Sequence, residues 1–266
     1  MRVIWAFIKK DFLIQTSYKA AFFLQLLGIF LGVPVFYFIS RIFTGADSKF
    51  LARYGGNYFA FLLLGIAFVD YLGLSLRTFN QSIRDSQLMG TLEIVLLSPT
   101  AIPKLLIYSS LWGYLFTSTR FILYLLMGLL FGLDLGNANY PAALLTLVLA
   151  IISFASFGII IASLTMVIKR GEVFNALLSA ASVFLGGVLF PTEVLPKWLE
   201  TLSKFLPITH ALEGMRMALI KGYSIAEIFP QILILLLFSV IFIPIGILAF
   251  YGAVRWTKII GTVEQY

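Results

Sequence analysis

The sequence predicts an all-α, polytopic membrane protein, and three observations predict it. Hydrophobic residues make up 61% of the chain and charged residues only 12%, about half the charged share of an ordinary soluble domain. Several apolar runs exceed the roughly 18 to 20 residues that a helix needs to cross a hydrocarbon core of about 30 Å. Most Lys and Arg sit in the short segments between those runs, where they set orientation. The net charge of +7 therefore needs no nucleic acid to explain it.

Taken in order, residues 1–19 predict an interfacial helix. Ile4, Ile8 and Phe12, with Val3 and Phe7, form an apolar stripe; Lys9, Lys10, Asp11 and Gln15 lie off it. That pattern suits a helix in the headgroup plane, and a cytoplasmic extension of the first span is the other reading. Charge interrupts the apolar residues too early for a signal-peptide core, so the first span is expected to be retained. That span covers about 20–42, with Pro34 as an expected kink. A polar loop, 44–56, leads to a second span at about 57–79.

Residues 84–99 are the most polar stretch between two long apolar runs in the first half. Leu88, Leu92, Val95 and Leu96 share one helical face, and Pro99 ends the element. It reads as a short helix across the membrane face or as a solvated loop. A third span lies at about 104–133 and a fourth at about 142–168, joined by a turn-rich loop around Asp134. A charged turn at 169–172 precedes a fifth span at about 173–190. Gly186, Gly187, Pro191, Pro196 and Pro207 then break the chain into pieces too short to cross, which predicts a re-entrant hairpin at 191–216, dipping partway in or lying on the surface. A last span follows at about 228–253, with Pro244 inside it. The whole, 1–266, reads as one membrane domain of six spans.

Six spans put both termini on one side. Arg2, Lys9, Lys10, Lys19, Arg84, Lys104, Lys169, Arg170, Arg255 and Lys258 fall there, against Lys49, Arg53, Lys197, Lys204 and Lys221 opposite. The excess predicts cytoplasmic termini, a cytoplasmic 84–99 segment and an outward-facing hairpin.

The sequence holds no Cys and one His, and no Gly-x4-Gly-Lys-Ser/Thr motif. Thiolate chemistry, a histidine metal site and a nucleotide site of its own are therefore not expected. An intramembrane aspartyl enzyme needs two facing carboxylates at one depth; Asp70 is mid-span but Asp134 sits at a span end. Asp70 and Arg120 are the ionisable residues deepest in the spans, and such residues face the bundle interior or a wet cavity and often pair. Counted from the cytoplasmic span ends they lie at about 15 Å and 24 Å, so a direct pair, separate roles and a snorkelling Arg120 all stay open. Gln25, Tyr37, Asn175, Ser179 and Ser182 are further polar or aromatic residues within spans. They are packing groups needing partners, or the lining of a substrate path.

Three features together resemble a known family. One is Arg84-x5-Gly90-Thr91-x-Glu93-x4-Ser98-Pro99. Another is Gly187-x2-Phe190-Pro191-x4-Pro196-x-Trp198-Leu199, followed by Leu206-Pro207-x-Thr209-His210 and Arg216. The last is the six-span layout with its N-terminal amphipathic helix. The combination resembles the membrane subunit of type-2 ATP-binding-cassette exporters, a group that includes daunorubicin-type drug exporters, nodulation-factor exporters and O-antigen or teichoic-acid exporters.

The resemblance implies a plasma-membrane permease of a bacterium or archaeon, paired with a second permease copy and two P-loop ATPase subunits that bind ATP and Mg. Arg84, Asp85, Gly90, Thr91 and Glu93 would form the coupling helix. Phe190, Pro191, Pro196, Trp198 and Pro207 would belong to the outer gate. The cargo would be an amphipathic drug, lipid or lipid-linked glycan, moved outward by alternating access. A secondary transporter or channel without an ATPase, and a membrane scaffold or lipid-modifying enzyme, are the competing readings.

Overall fold

The structure, a computed structural model, describes residues 2–42, 51, 53–88, 102–168 and 171–260. Among them it is all helical. The elements are α1 (Arg2–Ser17), α2 (Lys19–Ile42), α3 (Tyr58–Leu88), α4 (Ile102–Leu130), α5 (Tyr140–Ile168), α6 (Gly171–Leu185), a 3-10 turn (Thr192–Val194), α7 (Lys197–Ser203), α8 (Pro207–Ile220) and α9 (Phe229–Ile260).

Five described helices are long and apolar enough to cross a membrane: α2, α3, α4, α5 and α9. The chain is a multi-pass membrane protein. The expected fifth span is different. α6 has 15 residues, about 22 Å of rise against the roughly 30 Å of a hydrocarbon core. It stops at Leu185, where Gly186 and Gly187 follow and Gly187 takes a φ of +73°, a backbone that glycine adopts without strain. Pro34 and Pro244, by contrast, lie inside continuous helices.

α3 is the axis of the fold. Within its membrane segment 72% of residues are buried, against 11% for α2 and 22% for α9. In a bilayer apolar side chains gain little by leaving lipid, so close packing and interhelical hydrogen bonds hold helices together. Both are visible here. A Cβ on Gly158 of α5 would sit 2.3 Å from the Ser75 carbonyl of α3, so glycine permits that approach. Ser153 of α5 donates to the Leu235 carbonyl of α9 at 2.8 Å and lies 3.0 Å from Ser239 Oγ. Phe68, Tyr71, Phe121 and Phe154 interlock around α3 by edge and tilted ring contacts.

α1 lies against α4. Phe7 meets Tyr108, Phe12 meets Trp112 edge-on, and Trp112 Nε1 donates to Gln15 Oε1. Part of the predicted stripe, Ile4, Phe7 and Ile8, is thus half-buried, while Trp5, Leu13 and Ile14 are exposed. The two short helices of the hairpin differ sharply. α7 exposes Trp198 and Leu202. α8 has 12 buried residues out of 14, so it does not lie on a surface: it is inserted among α3, α5 and α9.

Candidate functional site

The hairpin is the most distinctive polar construction in the molecule. Past Leu185 the chain runs irregularly through Gly187, Val188 and Leu189 beside the apolar flank of α3. Carbonyls there have no helical partner, and a buried orphan carbonyl is costly. Arg216 of α8 answers this. Its Nη1 donates to the Gly187 carbonyl at 2.8 Å, and its Nη2 donates to the Phe61 carbonyl at 2.9 Å and the Val188 carbonyl at 3.3 Å. The guanidinium lies over the Phe61 ring, 3.3 Å from its centroid, with the Tyr54 ring at 5.7 Å. Arg216 is 2% exposed. Burial pulls its pKa down, to about 9, against the pull of Tyr54, Glu213 and Glu193, so it is still a cation at neutral pH. The same packing is why position 65 is glycine: a Cβ there would lie 2.4 Å from the Val188 carbonyl. The Tyr58 hydroxyl donates to the Leu189 carbonyl at 2.9 Å.

Above Arg216 sits a small polar pocket lined by Tyr54, Gly186, Gly187, Pro191, Thr192, Thr209, Glu213 and Arg216. Arg53 crosses its edge, with Nη1 3.3 Å from Glu193 and Nη2 2.6 Å from Glu213. Burial, reinforced by those two carboxylates, pushes Tyr54 up to about 12, so its hydroxyl stays neutral in the physiological range. Below, the Thr209 hydroxyl donates to the Ser203 carbonyl at 2.7 Å and the ring Nε2 of His210 lies 2.9 Å from the Lys204 carbonyl. These contacts fasten the end of α7 to α8 and give His210 a structural partner.

The gate residues read from sequence gather here unequally. Pro191 is buried and opens the 3-10 turn, and Pro207 is buried at the first turn of α8, where its missing N–H costs nothing. Phe190 packs edge-on against Phe184 at 5.5 Å. Pro196 and Trp198 are exposed.

A second polar feature lies within the spans. Arg120 Nη2 of α4 is 2.7 Å from Asp70 Oδ2 of α3, and both side chains are 23% exposed. The structure brings the two deep charges together, with Tyr124 beside both. Gln25 is exposed on α2, and Tyr37 packs between Phe59 and Phe131. On α6, Ser179 is half-buried, and buried Asn175 Oδ1 and Ser182 Oγ have no hydrogen-bond partner among the described residues.

Of the expected coupling residues, Arg84 and Asp85 lie on the last turns of α3, which runs unbroken from Tyr58 to Leu88. No separate element starts at 84, because nothing between Phe79 and Leu88 is Gly or Pro. Gly90, Thr91 and Glu93 lie outside the described residues.

Residues 96–220, from ahead of α4 to the end of α8, match the family described as ABC-2 type transporter. The chain carries an ABC-2 type transporter domain. It is 30% identical over 121 residues to the linearmycin resistance permease protein LnrN of Bacillus subtilis (strain 168), a stretch covering 45% of this chain and 31% of that protein. To nodulation protein J of Sinorhizobium fredii (strain NBRC 101917 / NGR234) it is 26% identical over 170 residues, 62% of this chain and 63% of the relative. To nodulation protein J of Rhizobium leguminosarum bv. trifolii it is 26% identical over 99 residues, 37% of each chain. The matches thus span less than two thirds of each relative's length. The matched stretch takes in Arg120, Asn175, Ser179, the expected gate residues and Arg216, whereas Asp70 and Arg53 lie ahead of it.

Arg53, Tyr54, Glu193 and Glu213 were not legible as a site. Arg216 was visible only as a motif residue with no role. The available signal was one cation within an otherwise mostly apolar helix, Pro207–Ile220. Its partners are backbone carbonyls, which no side-chain pattern advertises.

Proposed function

We propose that this chain is the membrane subunit of an ATP-driven exporter. In this reading two permease copies and two separate P-loop ATPase subunits form the working complex, and the ATPases bind ATP and Mg. The observation that carries it is the ABC-2 domain across 96–220 in a multi-pass chain whose sequence has no P-loop. The ATPase seats at the end of the bundle where α3 finishes and α4 begins, on the 84–99 segment with Arg84, Asp85, Gly90, Thr91 and Glu93. That end and both termini face the cytoplasm, in keeping with the excess of Lys and Arg there. The hairpin forms the outer gate.

The cargo class is an amphipathic drug, lipid or lipid-linked glycan. The printed name of LnrN, a resistance permease for linearmycin, favours a drug-like amphiphile. Closure of the ATPases pushes on the 84–99 segment and turns the long helix α3. Only an arrangement with different contacts to ATPase and cargo in its two states can export by alternating access.

Affinity purification of the tagged chain from native membranes should bring down a P-loop ATPase whose hydrolysis rises with an added amphiphile. Glu93→Gln or Gly90→Ala should leave insertion intact and separate hydrolysis from export. Transport by the purified chain alone, without ATP, would replace this reading with a secondary transporter or channel.

A further inference from the structure

The hairpin is held in two layers that differ in exposure. The inner layer is Arg216, 2% exposed, bonded to fixed backbone carbonyls. The outer layer is Arg53, whose side chain is 50% exposed and whose partners are carboxylates on two different elements: Glu193 on the 3-10 turn and Glu213 on α8. The two contacts leave from different nitrogens of the guanidinium, Nη1 to Glu193 and Nη2 to Glu213, so the fork is shared between two partners. Arg53 stands half in water, while Glu193 and Glu213 are 33% and 20% exposed, so these pairs are partly screened and hold more weakly than the buried Arg216 bonds.

The turn bearing Arg53 is itself well anchored. Tyr54 is 4% exposed, packs on Phe61 at 5.2 Å, and its N–H donates to the Leu51 carbonyl at 2.9 Å. Arg53 therefore spans from a fixed base to two arms of the hairpin, over the pocket that Tyr54, Thr192, Glu213 and Arg216 line.

We propose that Arg53 is a reversible clasp, closing the segment ahead of α3 onto both arms of the hairpin, and that its release opens the polar pocket above Arg216. Calling this the cargo's exit rests on the exporter reading; the clasp rests on the geometry alone. Arg216 stays bonded in both states, because its partners lie on α3 and on the irregular run after α6. Glu193 and the 3-10 turn swing away from Arg53.

The chain has no cysteine, so a Thr192→Cys change places a single thiol in the pocket lining. The purified chain in lipid nanodiscs, where both faces are accessible, is treated with a water-soluble maleimide and the labelling rate is measured. Adding Arg53→Gln should raise the rate about fivefold, the effect of losing two exposed ion pairs. Arg53→Lys, which keeps a cation between Glu193 and Glu213, should stay within twofold of the parent. A second reporter, Ala150→Cys in the buried core of α5, must stay unlabelled with Arg53→Gln; if it reacts, the change has loosened the fold and the Arg53→Lys comparison decides alone. A rate unmoved by Arg53→Gln, or raised as far by Arg53→Lys as by Arg53→Gln, overturns the clasp. Neither export nor ATP enters the readout, so failure of the exporter reading would leave a positive result standing.

Discussion

Removing Arg216 tests how the hairpin is built. Gly187 and Val188 lie past the end of α6, so the guanidinium is what satisfies their carbonyls; its third bond goes to the Phe61 carbonyl, and it lies face-on over the Phe61 ring. A buried carbonyl left without its donor costs about 1–3 kcal/mol. Arg216→Met fills much of the volume but supplies no donor, so two orphaned carbonyls should cost about 4 kcal/mol in all. Arg216→Lys keeps the charge and reaches one carbonyl at a time, because an ammonium lacks the planar fork; its cost should be about 2 kcal/mol. Unfolding by SDS in mixed micelles, followed by tryptophan fluorescence, gives the order wild type, then Lys, then Met. A Met variant that unfolds with the wild type, or a Lys variant no better than Met, would refute the hydrogen-bond reasoning and leave packing as the role of Arg216.

Other expectations follow from single contacts. Asp70→Asn should destabilise the fold more than Asp70→Asn combined with Arg120→Gln, since the single change strands a charge among the spans; the same SDS titration ranks them. Gly65→Ala and Gly158→Ala should each cost about 1–3 kcal/mol, because the added Cβ would meet carbonyls at 2.4 Å and 2.3 Å, and both should lower the yield of folded protein in detergent. Two hydrogen bonds from Ser224 hold Glu227 below the usual carboxylate range. Its contribution should therefore be complete at neutral pH and fade as pH falls through the acid range below 4.5, a fade that Glu227→Gln abolishes. Burial holds Tyr54 at about 12, so a Tyr54→Phe difference titration by ultraviolet absorbance should show no phenolate near pH 10, where exposed tyrosines ionise.

Much of the fold is legible because apolar run length maps directly onto a bilayer. Four of the expected spans and the last one lie close to α2, α3, α4, α5 and α9. The fifth was overrun because a run continuing to Phe190 hides the stop at Gly186-Gly187. The charge pair shows how a boundary controls a site. With the spans ended at 79 and begun at 104, Asp70 and Arg120 fall at unequal depth. The helices themselves end at Leu88 and begin at Ile102, which puts each charge 18 residues from its helix end, about 27 Å along antiparallel neighbours. The two then meet at one level. Arg216 was illegible for a different reason: its partners lie 29, 28 and 155 residues away and are backbone atoms. The coupling segment is read from motif and apolar spacing, and of its named residues Arg84, Asp85 and Leu88 lie within the described part of the chain and the rest outside it.

The arrangement of strong and weak ties constrains how such a domain can move. α3, α5, α8 and α9 are locked by glycine-permitted backbone contacts, by Ser153 across α5 and α9, and by Arg216 across α8, α3 and the turn after α6. Peeling the hairpin off α3 would forfeit about 4 kcal/mol at the Arg216 carbonyls alone. The ion pairs of Arg53, half-exposed on the arginine side, are the weaker ties: a fully exposed pair is worth only about 0.2–1 kcal/mol. In the exporter reading proposed above, a conformational cycle would run through the cheaper contacts. The interlocked helices should turn as one body, carrying the Arg216 contacts intact, while α2, with 11% of its span buried, and the 3-10 turn beyond Pro191 take up the change. Rigid rotation of a packed unit about a weak boundary is a common route for switching in helical proteins. In the exporter reading proposed above, the long helix α3 would transmit a push at its Leu88 end to the Arg53 end without bending, which an unbroken helix of 31 residues with no proline can do.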